Sequence, residues 1–288
     1  MRFGAKLRNY GAGATMASVL DEARRAEEVG FDSVWLSDHL AMPERSSSWY
    51  PYGTDGTIDW DATEPWLEPM AVLAALAAVT ERPRLGTAVL VAPLREPVGF
   101  AKQVACVTQL SGGRVVLGVG DGWLQEELEL VGGDFGTRRE RTDEVLATCR
   151  AAWSGVLVAR LPAGDLRFFT EPRPTGEVPV LLGGDSEAAF RRIALRGYGW
   201  LPLHRGEGAA GAVRRGLERI SSWRRRVGDG TQREPEVVLN AGHAAEIAPE
   251  LAALAAAGVH EVLIDGEFTE DDGPRRALEL ARDAASSA

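Results

Sequence analysis

Lysine is almost missing from this chain: of its 32 basic residues only Lys6 and Lys102 are lysines, and the rest are arginines. Schiff-base catalysis needs an amine directed into a site. Only Lys6 lies near the end of an apolar run, so an aldolase-type mechanism is set aside. Cysteine is equally scarce. Cys106 and Cys149 stand far apart, which supports neither a disulfide framework nor a zinc knuckle. The four histidines, at 39, 204, 243 and 260, do not make the converging His and carboxylate set of a metal-dependent barrel hydrolase. His260 precedes its strand and so points to the wrong end, and no metal is expected. Positive charge is in deficit, with a formal net charge of -10 and a pI of about 5.1. A nucleic acid or an anionic membrane is therefore not expected as a partner. No apolar run reaches the roughly 18 residues of a membrane span. The N-terminus lacks a charged region followed by an apolar one, so no signal peptide is read and a cytoplasmic protein is expected.

What is present is ordinary globular material: 288 residues, 45% of them apolar and 26% charged. That length is near the upper limit for one hydrophobic core. Short apolar runs alternate with helical stretches from end to end. The runs are 2–7, 33–36, 85–91, 114–119, 178–182, 199–202, 236–240 and 259–265. Helices are predicted between them at about 15–29, 65–79, 98–110, 137–153, 186–195, 209–226, 246–257 and 274–285. Strict alternation forces parallel strands with helical crossovers, and eight units at this length fit a (β/α)8 TIM barrel. The rival, an open doubly wound sheet, should carry a glycine fingerprint at its first turn and an acidic ribose partner after the second strand. Gly11 and Gly13 are present, but Asp38 is followed at once by His39, and the barrel is preferred. Residues 1–288 read as one barrel domain with two insertions, a polar and aromatic loop at 40–64 and an irregular excursion at 155–178.

In such a barrel the chemistry sits where strands end at their C-terminal side. Those ends carry Asp38-His39, Thr87-Ala88-Val89, Gly118 to Trp123, Gly183-Gly184-Asp185-Ser186, His204, Asn240 to His243 and Asp265. A histidine in that position suits a general acid or base near neutral pH, although a hydrogen-bonded loop histidine would look the same. Gly183-Gly184 with Ser186 opening a helix is the better of two candidate phosphate loops, because free N–H groups and the helix dipole favour an anion. A serine-capped tight turn gives the same pattern.

Taken together and in order, these stretches resemble the bacterial luciferase-like monooxygenase superfamily, and within it the branch using the deazaflavin coenzyme F420. The matching segments are Ala26 to His39, Thr80 to Val89, Leu94-Arg-Glu-Pro97, Leu110 to Arg114 and Leu117 to Trp123 with Glu126-Glu127. They continue through Arg138, Arg141 to Glu144, Val178 to Gly184 and Gly197 to Trp200, and beyond about residue 203 little matches. The resemblance implies a luciferase-like TIM barrel binding a deazaflavin or a flavin at its C-terminal mouth. It places His39 near the reactive ring and gives Asp38 an anchoring role. It sets Thr87, Ala88 and Val89 at a bulge, sometimes with a non-prolyl cis peptide, that buttresses the ring. It puts Gly120 and Asp121 along the site, with Asp121 where some deazaflavin enzymes carry a catalytic carboxylate. Gly183, Gly184 and Ser186 match the phosphate side. One departure is Gly197-Tyr198-Gly199-Trp200, where an acidic residue of the familiar pattern is replaced by tyrosine.

The reaction implied is hydride transfer between coenzyme F420 and a small organic substrate, with His39 as acid/base. An FMN-dependent monooxygenase using O2 and a non-catalytic cofactor-binding paralogue are the alternatives. Loops 40–64 and 155–178 are where substrate preference is expected. Arg45, Trp49, Tyr50, Tyr52 and Trp60 either line a pocket or pack the first loop down. By analogy with relatives, a homodimer is expected.

Overall fold

The computed structural model describes residues 1–51, 55–57, 60–227 and 234–286; Tyr52 lies outside them. The first half runs β1 (Arg2–Lys6), α1 (Met16–Val29), β2 (Ser33–Leu36), α2 (Pro69–Val79), β3 (Arg84–Val91), α3 (Pro97–Leu110), β4 (Val115–Gly120), α4 (Gln125–Leu130) and α5 (Arg138–Trp153). A hairpin follows, β5 (Val156–Leu161) and β6 (Gly164–Phe169). The chain then continues through β7 (Val180–Gly183), α6 (Glu187–Arg196), β8 (Gly199–Leu201), α7 (Ala209–Val227), β9 (Val238–Gly242), α8 (Ala244–Ile247), α9 (Leu251–Ala256), β10 (Glu261–Asp265) and α10 (Gly273–Ser286).

Eight strands form one all-parallel sheet in the order β8-β7-β4-β3-β2-β1-β10-β9. Its two ends meet: the Trp200 N–H donates to the Glu236 carbonyl at 2.8 Å and the Asn240 N–H to the Pro202 carbonyl at 2.9 Å. The result is the (β/α)8 barrel that the alternation called for. Where the sequence suggested an irregular excursion at 155–178, β5 and β6 instead pair antiparallel, apart from the barrel sheet. The predicted helix at 246–257 is broken by a 3-10 turn at Ala248–Glu250, because Pro249 has no N–H to continue the ladder. The helix expected from residue 65 begins at Pro69, and the preceding residues are held extended by Leu67 N–H donating to the Asn9 carbonyl at 2.8 Å.

Helix ends follow from local chemistry. Thr15 caps α1 through a reciprocal pair with Ser18, and Gly30, at φ 96°, ends it in the left-handed region that only glycine enters cheaply. The apolar faces of the helices close on the outside of the barrel around Val19, Leu73, Val104, Leu146, Ile193 and Leu254.

Inside the barrel a second apolar cluster, Trp35, Val116, Leu181, Leu201, Val238 and Leu263, forms a plug. Trp35 is its largest member, and two glycines make room for it: a Cβ on Gly4 or Gly86 would overlap the indole. Below the plug, the N-terminal end is sealed by charge. Glu261, fully buried, accepts from Arg2 Nε at 3.0 Å, Arg84 Nη1 at 2.8 Å and Trp35 Nε1 at 3.2 Å. The C-terminal end is therefore the open one.

Candidate active site

The end of β2 delivers Asp38 and His39 into the mouth, both buried. Asp38 spends its two oxygens inside the protein. Oδ2 accepts from the Val91 N–H at 2.8 Å and Oδ1 from Arg95 Nη2 at 2.7 Å. Burial pushes the Asp38 carboxyl above its ordinary pKa, against the opposing pull of Arg95 and the Val91 N–H. Asp38 thus ties the end of β2 to the end of β3.

His39 is held by Glu127. Its Nδ1 lies 2.8 Å from Glu127 Oε2, while Oε1 accepts from the backbone N–H groups of Leu40 and of Ala41, the latter at 3.2 Å. With a carboxylate as acceptor, Nδ1 carries the hydrogen, and Nε2, across the ring, is then the acceptor nitrogen. Glu127 sits on α4, one turn past Trp123. Its neighbour Glu126 reaches into the 40–64 loop, accepting from Ser47 N at 2.7 Å, Ser47 Oγ at 3.0 Å and Ser48 Oγ at 2.6 Å. Partial burial works against ionisation of Glu126, but these donors together bring its pKa down from 4.5 to about 2. Ser48 Oγ in turn accepts from the Gln125 N–H at 2.9 Å and so caps α4 from outside the helix.

Around His39 stands a wall of aromatic rings. The centroids of Trp66, Trp123 and Trp60 lie 4.7, 5.6 and 6.0 Å from the imidazole, all edge-on. Tyr50 packs on Trp60 and Trp123 at 5.2 and 5.0 Å, and Tyr10 stacks on Trp66 at 4.3 Å. Of the loop residues singled out from the sequence, Tyr50 and Trp60 join this wall. Arg45 is exposed, and Trp49, 68% exposed, lies over Gly56 instead. Tyr10 and Trp66 were not foreseen.

The end of β3 builds the floor. Its register against β4 shifts between Thr87 and Leu90, the Ala88–Val89 peptide is cis, and Thr87 Oγ1 donates to the Gly118 carbonyl at 2.8 Å. The Val89 side chain lies across two glycines. A Cβ on Gly120 would come 2.7 Å from Val89 Cγ2, and one on Gly183 3.2 Å from Val89 Cγ1. Val89 with Gly120 and Gly183 therefore makes an apolar shelf at the C-terminal ends of β3, β4 and β7.

On the next side, Gly184 adopts φ 98° and its carbonyl accepts from Trp200 Nε1 at 3.0 Å. Ser186 caps α6, accepting from the Ala189 N–H at 3.2 Å. Asp185, which faces His204 Nε2 at 3.5 Å, is raised in pKa by burial against the pull of that histidine. Asp121 does not stand free. Arg192 Nη1 donates to both of its oxygens at 2.9 Å, and Arg192 also binds Asp143 at 2.8 Å. The wall between β9 and β1 carries Lys6, 3.2 Å from Asp265, and His243, 3.7 Å from the same carboxylate. None of these site groups comes from residues 155–178.

The barrel gathers these polar and aromatic side chains at the C-terminal ends of its strands, where TIM-barrel enzymes carry their sites. The chain belongs to the luciferase-like monooxygenase family, whose model matches residues 1–287. Among curated relatives, an uncharacterised protein of Mycobacterium tuberculosis is 37% identical over 190 residues, 62% of either chain. An F420-dependent glucose-6-phosphate dehydrogenase of Microbacterium testaceum is 36% identical over 208 residues, 69% of this chain and 56% of that one. Aligned segments thus span about six-tenths of those relatives' lengths. Two solved structures share the fold over nearly the whole chain. An F420-dependent secondary alcohol dehydrogenase with an F420-acetone adduct has a TM-score of 0.74 at 17% identity, covering 98% of this chain and 99% of its own. The oxygenating constituent of a Pseudomonas putida diketocamphane monooxygenase, in complex with FMN, has a TM-score of 0.73 at 16% identity, covering 99% and 98%. The proteins it is similar to thus include F420-dependent enzymes and an FMN-bound monooxygenase.

Proposed function

We propose that this protein is an F420-dependent oxidoreductase that moves hydride between the deazaflavin and a small organic substrate. The observation that carries the reading is the His39–Glu127 couple, walled by aromatic rings, at the same end of the barrel as the Val89 shelf. The shelf is flat and apolar, as one face of a planar ring requires. The mouth also has a polar acceptor to offer, since the buried Asn240 Oδ1 finds no donor among the described residues. Those two features fit a deazaflavin or flavin ring. Val89, Gly120, Gly183 and Gly184 would hold it, with Ser186 toward its phosphate side. When bound, such a ring supplies the two-electron chemistry, taking or giving hydride.

The chain's own groups do the rest. His39 Nε2 takes a proton from a substrate oxygen in one direction and returns it in the other, work worth about 10²- to 10⁴-fold in rate. Glu127 keeps the imidazole in the right tautomer and orientation. Trp60, Trp66 and Trp123 exclude water from the reacting atoms and favour an apolar body on the substrate. Asp121, engaged by Arg192, is given a structural role in this reading. The F420-dependent relatives favour the deazaflavin over FMN.

The test is a fluorescence titration of the apo-protein with F420 and, separately, with FMN. F420 binding in the micromolar range or tighter, with FMN at least tenfold weaker, is the expected result; the reverse order would assign the protein to the FMN-dependent monooxygenases. His39→Ala should bind F420 normally and lose turnover. If turnover survives that change, the imidazole has no part in the chemistry.

A further inference from the structure

Asn240 is the odd residue of the barrel interior. It lies on β9 two residues beyond Val238, which belongs to the apolar plug, so strand alternation puts it on the same inward face one layer nearer the mouth. Its partners across the sheet are Leu263 and Leu203. Asn240 is 7% exposed, and its Oδ1 is buried with no donor among the described residues.

A buried carboxamide oxygen without a donor lowers stability, and a leucine in its place, between Leu203 and Leu263, would not. Packing alone therefore gives no reason for the amide. Nor does the neighbouring wall supply a partner, because the Lys6 ammonium is turned to Asp265 at 3.2 Å and His243 faces the same carboxylate. With no donor among the described residues, this acceptor at the top of the plug is left for something that enters the mouth.

We propose that Asn240 is a cofactor-recognition residue. Its side-chain oxygen accepts from the imide N–H on the polar edge that deazaflavin and flavin rings have in common. The inference rests on the reading above, that such a ring binds in this mouth. Ring and site are complementary in kind. The ring has an apolar face and one edge of alternating carbonyl and N–H groups. The protein offers the apolar Val89 shelf and a neutral amide, which can accept from the N–H and donate to an adjacent carbonyl. A neutral group also suits a ring that changes charge between its oxidation states.

The test uses the full-length apo-protein with Asn240→Leu and Asn240→Ala, reading thermal stability without cofactor and the Kd for F420 and for FMN by fluorescence. Asn240→Leu should melt at or above the wild-type temperature. Both variants should bind whichever ring the wild type prefers about tenfold more weakly, the equivalent of one lost hydrogen bond. Affinity within twofold of wild type in both variants would overturn the proposal. So would a marked loss of apo stability in both, since the amide would then be serving the free protein. Failure of the parent reading is visible separately: the wild type itself would bind neither ring.

Discussion

Glu127 Oε2 stands 2.8 Å from His39 Nδ1, across 88 residues of sequence, while the other oxygen of the same carboxylate takes the N–H groups of Leu40 and Ala41. One side chain thus sets the orientation of the imidazole and the direction in which the following loop leaves the barrel. Removing the charge should be felt in catalysis before it is felt in binding. Glu127→Gln is expected to lower kcat by about 10²-fold, the low end of the range for acid–base groups, with the Kd for F420 changed less than threefold. Steady-state kinetics alongside a cofactor titration would show it. Parallel loss of kcat and affinity would mean the pocket had collapsed.

Glu126 makes a separate prediction about the loop. Its carboxyl is held at about 2 against an ordinary 4.5, chiefly by Ser48 and Ser47 overcoming partial burial. A depressed acid contributes its stabilisation fully above 4.5 and loses it progressively as the pH falls from there through about 2. The wild-type loop should therefore stay docked through mild acid. Glu126→Gln should loosen it already at neutral pH, giving severalfold faster tryptic cleavage after the exposed Arg45. Equal cleavage rates in the two proteins would refute the latch.

Two glycines separated by Val119 should behave differently. A Cβ on Gly118 would overlap the Thr87 backbone carbonyl, whereas one on Gly120 meets the Val89 side chain at 2.7 Å. Backbone cannot step aside, so Gly118→Ala should cost about 1–3 kcal/mol and lower Tm by several degrees. Gly120→Ala should leave Tm nearly unchanged but tilt the shelf, weakening F420 binding severalfold. Calorimetry and titration of the pair would separate the roles.

At the opposite end of the barrel, Glu261→Ala removes the buried partner of Arg2 and Arg84. Glu236 still pairs with both arginines and Arg2 is half exposed. The loss should therefore fall at or below the low end of the roughly 3–5 kcal/mol for breaking a buried pair. Denaturant unfolding would measure it. Turnover at room temperature should be unchanged, because residues at this face of a barrel serve stability.

The barrel was legible because burial on both sides makes parallel strands read as apolar runs, and the helices between them carry one apolar face. Boundaries shifted where a proline or a tertiary contact intervened, as at Pro249 and at Leu67. The hairpin at 156–169 escaped notice because Pro162 and Gly164 at its tip read as irregular punctuation, although Val156 to Leu161 is strand-like. The six residues of α4 were missed for lack of an apolar stripe. His39 and the glycine stretches could be found in the sequence from their places at strand ends. Glu127 could not be given its role, because its partner is far away in sequence and two adjacent glutamates on a polar stretch look like solvated charge. Asp121 shows the converse. Its position is conspicuous in the sequence, and only the fold brings Arg192 against it, 71 residues on.

The hairpin has one more consequence. The Thr170 N–H donates to the Gly155 carbonyl at 3.1 Å, so the two feet of the β5–β6 arm stand side by side, and neither strand pairs with the barrel. Chain inserted, trimmed or exchanged between those feet leaves the start of β7 where it is. In engineering terms this is a docking port for cargo, a point where a reporter or an enzyme can be spliced in with the barrel mouth undisturbed.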